Sequence, residues 1–280
     1  MEKIKIITDS TCDLNREIIE KYDIEVLPLV VNFGEKSYLD GVDIEIHEFL
    51  RRIKEKDIFP NTAQINPHRF YQCYKKYLEE GYRIVSIHIS SKMSGTYQSA
   101  CIAKEMLETD DIVVIDSLNV TSGLGLLVIK AAQLKKQKCN IYQIEEKIKE
   151  TLPHVKNAYA FASLDHLVKG GRLSKTAGMI GNFLGIKLIL AVVDGEMAVV
   201  DKVRGTKKAI RIILKKLEEN TLNNDETSIL LHIDNEDIRI QIRNELIKRK
   251  SDFIECEVGC VVGTHSGPNA CGIAYIEDYN

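Results

Sequence analysis

The first half of the chain alternates β-rich runs with helical runs, and this alternation restricts the fold more than any other feature. Residues 3–8 are rich in β-branched side chains and end in the polar turn Asp9-Ser10-Thr11-Cys12-Asp13; a helix carrying Leu14, Ile18 and Ile19 follows. Residues 24–33 form a second extended run, and 34–41 read as a turn and short hairpin. In 44–56 the apolar residues Ile46, Phe49, Leu50 and Ile53 fall at helical spacing. Residues 60–66 read as a loop. Asn66-Pro67 then supplies an N-cap followed by proline at the first helical position, opening a helix to about Glu80. A strand at 82–89, a helix at 94–107, a strand at 111–115 and a helix at 121–137 complete the series. Strands separated by helices are the pattern of a mostly parallel sheet with helices on both faces.

The second half reads differently. A short strand at 158–162 precedes the polar turn Gly170-Gly171-Arg172-Leu173-Ser174-Lys175, where Ser174 caps a helix to about Leu184. Extended runs at 186–193 and 197–203 flank Asp194-Gly195, a strong hairpin signal. A helix at 206–217, a strand at 229–233 and a helix at 236–248 follow, then late strands at 253–258, 260–262 and 273–276. An antiparallel hairpin among helices indicates an α+β unit with a mixed or antiparallel sheet. A length of 280 residues suits two domains. The composition shift at Thr151-Leu152-Pro153 divides them into 1–152, an N-terminal α/β domain, and 153–280, a C-terminal α+β domain.

Composition narrows the function. The chain is 44% hydrophobic and 28% charged with a net charge of −3, so it has no basic surface that makes nucleic acid the expected partner. Seven scattered cysteines with no C-x-x-C spacing, Cys256 and Cys260 being the only close pair, read as reduced thiols rather than a zinc site. No N-terminal apolar stretch is long enough for a signal peptide, and the most apolar region, 183–193, is too short to span a bilayer and carries Lys187. The protein is therefore expected in the cytoplasm, with no transmembrane segment. There is no G-x-x-x-x-G-K-[ST] loop, no G-x-S-x-G elbow and no H-E-x-x-H; Gly123-Leu124-Gly125 starts like a dinucleotide fingerprint, but Val128 stands where its third glycine belongs. No metal or cofactor is expected, and the chain is read as a non-catalytic binding module.

Three loops do carry chemistry. Thr62-Ala63-Gln64-Ile65-Asn66-Pro67, Ser90-Ser91-Lys92-Met93-Ser94-Gly95-Thr96-Tyr97-Gln98-Ser99 and Gly263-Thr264-His265-Ser266-Gly267-Pro268 place small hydroxyls near expected helix starts. Helix N-termini present backbone N–H groups that suit a carboxylate or phosphate. Taken singly, Ser94 or Thr96 also reads as a helix cap, and Arg172 and Arg204 as solvated turn residues.

Together these segments resemble the DegV family. The resemblance runs in order through Asp9–Leu14, Pro28-Leu29, Tyr38–Gly41, Thr62–Pro67, Ser94–Ala100, Gly170–Leu173, Arg204-Gly205 and Gly263–Pro268, which is essentially the whole chain. It implies two α/β domains around a buried acyl chain, and a fatty-acid-binding carrier subunit serving a separate ATP-using fatty acid kinase subunit. By motif position, Thr62, Ser94 and His265 would hold the ligand carboxylate, with Gly95, Thr264, Arg172 and Arg204 as secondary ligand or partner contacts. The expected ligand is a long-chain fatty acid, for example a C16–C18 chain, and the residues chosen for its head group are two hydroxyls and an imidazole rather than a buried arginine. A basic run of Arg204 with Lys202, Lys207 and Lys208 is expected at the rim. The sequence pattern varies from the family's at Ala63, Ile65, Asn66, Ser266 and Asn269. Two other classes fit the residues alone: a stand-alone phosphotransferase or esterase, and a lipid-responsive regulator.

Overall fold

The computed structural model describes residues 2–56, 59–173, 185–219 and 227–279. Its first part runs β1 (Ile4–Asp9), α1 (Arg16–Tyr22), β2 (Ile24–Leu27), β3 (Val30–Phe33), β4 (Lys36–Leu39), α2 (Ile46–Lys56), β5 (Asn61–Ala63), α3 (Pro67–Glu79), β6 (Arg83–His88), α4 (Thr96–Leu107), β7 (Ile112–Asp116), α5 (Thr121–Lys136) and α6 (Ile141–Thr151). The second runs β8 (Val155–Phe161), α7 (Asp165–Lys169), β9 (Ile186–Val193), β10 (Glu196–Arg204), α8 (Thr206–Glu219), β11 (Ser228–Ile233), α9 (Glu236–Lys248), β12 (Phe253–Glu257), α10 (Cys260–Ser266) and β13 (Ala270–Ile276).

Three sheets result. Strands β2-β1-β6-β7 are all parallel, as the alternation requires. Strands β10-β9-β8-β13-β11-β12 form a mixed sheet, antiparallel except for the β11–β12 pair. Strands β4-β3-β5 form a small antiparallel sheet. Helix α5 lies between the two large sheets, touching β1 and β6 on one side and β8, β11 and β13 on the other. This is why it is apolar nearly all round instead of on one stripe. Gly125 has a packing role there: a Cβ would come within 2.9 Å of the Cys12 carbonyl oxygen.

Four local readings change. Residues 24–33 are two strands in different sheets, split at Pro28, which has no N–H for a ladder. Residues 61–63, expected as loop, are β5, whose pairing with β3 sets Thr62 opposite Val31; three polar residues carry no period. Residues 260–262, expected as a strand, are the first turn of α10. The run Cys260-Val261-Val262 favours a strand by propensity, but the carboxyls of Asp13 and Asp40 accept from the Gly259 and Cys260 amides at 2.9 and 2.8 Å and start a helix. Helices α6, opened by an Asn140–Gln143 capping box, and α7 add to the expected set. The helix expected from Ser174 to Leu184 lies outside the described residues.

Those two carboxyls are buried together. Both lie within 3.4 Å of the point where a Gly259 Cβ would stand. Burial pushes the Asp13 carboxyl well above its usual range; the Thr121 and Gly259 hydrogen bonds pull it back, while Asp40 and Asp9 push it further up. Folding therefore favours the protonated acid, so stability is highest below the ordinary carboxylate range and falls as pH rises from there through the folded value. Asp13→Asn keeps an acceptor for the Gly259 amide, can donate to Thr121, and tolerates the left-handed backbone at φ 47°. Thermal melts from about pH 4 to about pH 8 should show a flatter pH dependence for the variant and a higher Tm than the parent at the neutral end. Parallel curves with the variant lower throughout would contradict this.

Candidate functional site

The three loops meet at one cavity. It contains about 1020 Å³ of space unfilled by protein atoms, the open solvent at its mouth included. Thr62, Gln64, Ser94, Gly95, Arg172 and His265 line one region; Leu29, Phe161, Leu167, Met197, Leu231 and Val261 supply apolar wall. The inner face of β13 carries Ala270, Gly272 and Ala274, which keep this side of the mixed sheet thin. The β9–β10 hairpin is tied to the loop after β6 by the Ser90 hydroxyl donating to the Gly195 carbonyl at 2.7 Å. That tie holds Met197 over the cavity.

His265 stands at the last turn of α10, and its Nε2 is 2.9 Å from Thr62 Oγ1 on β5, 203 residues away in sequence. Burial, with Arg172 and His166 adding to it, lowers the imidazole pKa to about 4, so the ring is neutral near pH 7. Its Nδ1 is buried with no hydrogen-bond partner among the described residues and lies against Gly170, where a Cβ would come within 2.2 Å of it. A buried N–H left unpaired costs more than an unpaired lone pair. The proton therefore belongs on Nε2, which donates to Thr62 Oγ1 and leaves the Thr62 hydroxyl hydrogen free to point at an acceptor in the cavity.

Ser94 precedes α4. Its Oγ lies 3.0 Å from Thr96 Oγ1 and accepts from the Thr96 amide at 3.3 Å, while Gly95 takes the N-cap position with no side-chain cap. Gln64 crosses to this helix start: Nε2 donates to Ser99 Oγ at 3.1 Å, and Oε1 fills the space beside Gly95. The sequence reading passed over Gln64, although it lies within the Thr62 loop. Arg172 is held by two carbonyls, Nε donating to Met93 at 3.2 Å and Nη1 to Gly170 at 2.6 Å. It lines the cavity, so the head region contains a guanidinium after all.

Two of the expected secondary ligand or partner contacts do not line the cavity. Thr264 is buried, and its hydroxyl donates to the Cys260 carbonyl one turn back at 2.9 Å, as a mid-helix threonine commonly does. Arg204 is exposed at the end of β10 and does not line the cavity; Lys207 and Lys208 are exposed on α8. Of the basic run, Lys202 is the member that reaches a neighbouring cleft, lined also by Lys92, Glu196 and the same Arg172.

These features define a mixed α/β protein with a largely apolar cavity that brings Thr62, Gln64, Ser94, Arg172 and His265 together. The family model described as "Uncharacterised protein, DegV family" matches residues 3–278. The chain is 60% identical to a DegV domain-containing protein of Clostridium acetobutylicum, with 100% of each covered. It is 35% identical to a fatty acid-binding protein of Thermotoga maritima, with 96% of each covered. Its fold is similar to that of a fatty-acid-binding DegV family protein from Thermus thermophilus at a TM-score of 0.90 and 27% identity, covering 99% of this chain and 100% of the other. This chain belongs to the DegV family. Among the described residues, no helix is long and apolar enough to cross a membrane.

Proposed function

We propose that this chain binds a long-chain fatty acid, holds its carboxylate with Thr62, Ser94 and His265, and presents it to a separate ATP-dependent kinase subunit for acyl-phosphate formation. The observation that carries the reading is the Thr62–His265 hydrogen bond in the wall of a largely apolar cavity that Ser94 and Arg172 also line. Fatty acid binding by DegV family structures supports it.

The energetics divide by ligand part. A chain of roughly 15 methylenes offers on the order of 12 kcal/mol gross, at about 0.8 kcal/mol per buried CH₂; ordering and association reduce the net. The head group contributes orientation. Thr62, polarised by His265, and Ser94 donate to the carboxylate oxygens, and Arg172 supplies charge while its own geometry is fixed by two carbonyls. No group in this set activates a nucleophile, and an oxygen held by hydroxyls remains able to attack a phosphoryl donor. The cleft sharing Arg172 with the cavity, with Lys92 and Lys202, offers cations to a phosphorylated head or an acidic partner face.

Native mass spectrometry tests the reading. Purified protein should carry an extra mass of a few hundred daltons that extracts into organic solvent, and delipidated protein should rebind palmitate. No affinity for any fatty acid after delipidation would refute it. Acyl-phosphate made from ATP by this chain alone would refute the carrier role and favour a stand-alone enzyme.

A further inference from the structure

Helix α10 orders the cavity from one end to the other. His265 is in its last turn; its first amides are held by Asp13 and Asp40, a span of about 10 Å at 1.5 Å per residue. Asp13 accepts from Thr121 Oγ1 at 2.5 Å. The next residue on α5, Ser122, has its Oγ 2.8 Å from the hydroxyl of Tyr159. Tyr159 is therefore at the end of the cavity away from the imidazole. Phe161, two residues and about 7 Å further along β8, is on the side from which the chain runs on to Gly170 beside the imidazole.

Tyr159 crosses the space at that end. Its backbone belongs to β8 in the mixed sheet, and its hydroxyl reaches α5 on the opposite wall. The residue paired with it on β13 is Gly272. A side chain there would come within 2.5 Å of the Tyr159 Cα and 2.7 Å of its ring Cδ1, so the ring uses the space that glycine leaves. The ring is 3% exposed and anchored at both ends. The Ser122 hydroxyl that the ring meets and the neighbouring Thr121–Asp13 pair, of which Thr121 also lines this end, are polar groups that give a methyl terminus nothing to gain.

The geometry points to Tyr159 as the gauge of acyl-chain length: its ring is the bar against which the terminal methyl of the bound chain stops. This rests on the fatty-acid reading above and specifies which chains fit. Below the limit, each two-carbon extension raises affinity about 15-fold; beyond it, affinity falls because the chain must fold back or stay partly outside.

The test is displacement of a fluorescent fatty acid by lauric, myristic, palmitic, stearic and arachidic acids from the parent, Tyr159→Phe and Tyr159→Leu proteins. The parent should show a cut-off, Tyr159→Phe the same cut-off because the ring remains, and Tyr159→Leu a cut-off at least one two-carbon step longer. An unchanged cut-off in Tyr159→Leu overturns the gauge while leaving fatty-acid binding intact; a parent that binds none of the acids overturns the ligand assignment and the gauge with it. Should Tyr159→Leu not fold, the structure of the parent with the longest acid it accepts decides. A terminal methyl within about 4 Å of the Tyr159 ring supports the gauge, and a chain running past the ring contradicts it.

Discussion

Ser94→Ala is expected to cut partner-dependent acyl-phosphate formation on the order of a hundredfold, the cost of misplacing a nucleophile by about 1 Å. Binding should weaken far less, by about 0.5–1.5 kcal/mol for one lost hydrogen bond, since the buried methylenes dominate affinity. The geometry explains the split. Ser94 is fixed by its contacts with Thr96 and lines the same cavity as the Thr62–His265 pair from a different element. Without it, the carboxylate keeps donors on one side and is free to rotate. Arg204→Ala makes the opposite comparison: an exposed residue off the cavity should leave fatty-acid affinity within twofold of the parent, by roughly ±0.5 kcal/mol, and act on turnover through the partner. Titration of palmitate and an assay with the kinase subunit, run on both variants, check this. Loss of binding and turnover in equal proportion for Ser94→Ala would contradict the orienting role.

The largest expected stability effect lies outside the cavity. Asp9 ends β1 fully buried, and its carboxyl accepts from the Thr11 amide and hydroxyl at 3.1 and 2.5 Å and from the Ile89 amide at 3.1 Å. It also lies 3.0 Å from His88 Nδ1; His88 Nε2 is 2.6 Å from Ser86 Oγ, to which Tyr74 donates at 2.7 Å. The carboxyl, imidazole and hydroxyl stand in the order of a hydrolase relay, but Asp9, His88 and Ser86 are all 0% exposed, and none of them lines the cavity. The network joins β1 to β6 in the parallel sheet. Asp9→Ala strands several buried donors at once and should cost about 3–5 kcal/mol, lowering Tm by roughly 5–15 °C. Differential scanning calorimetry with a shift under about 2 °C would show the network to be dispensable.

What the sequence reveals, and what it hides, follows from how far each cause reaches along the chain. The alternation in the first half and the Asp194-Gly195 turn are local, and the parallel sheet and the β9–β10 hairpin appear as read. Thr62, Ser94 and His265 could be picked out only through family motifs; the structure shows all three at one cavity, because β5 pairs with β3 and α10 is capped by residues more than 200 positions away. That remote capping is also why 260–262 misreads as a strand. Gln64 has no motif of its own within the Thr62 loop and gains its place only where β5 meets the start of α4; Tyr159 has no chemistry-bearing neighbour in sequence and gains its place only where the mixed sheet meets α5. Thr264 carried the motif, but a helix carbonyl satisfies its hydroxyl, and Arg204 is exposed off the cavity, where a partner and not the ligand can reach it.

The most direct test of the central claim is a crystal structure of delipidated protein soaked with palmitic acid. The account predicts a single extended chain in the cavity, its carboxylate within hydrogen-bond distance of Thr62 Oγ1 and Ser94 Oγ, and its tail running past Phe161 toward Tyr159. An unoccupied cavity at saturating palmitate, or a carboxylate at the Tyr159 end, would contradict it.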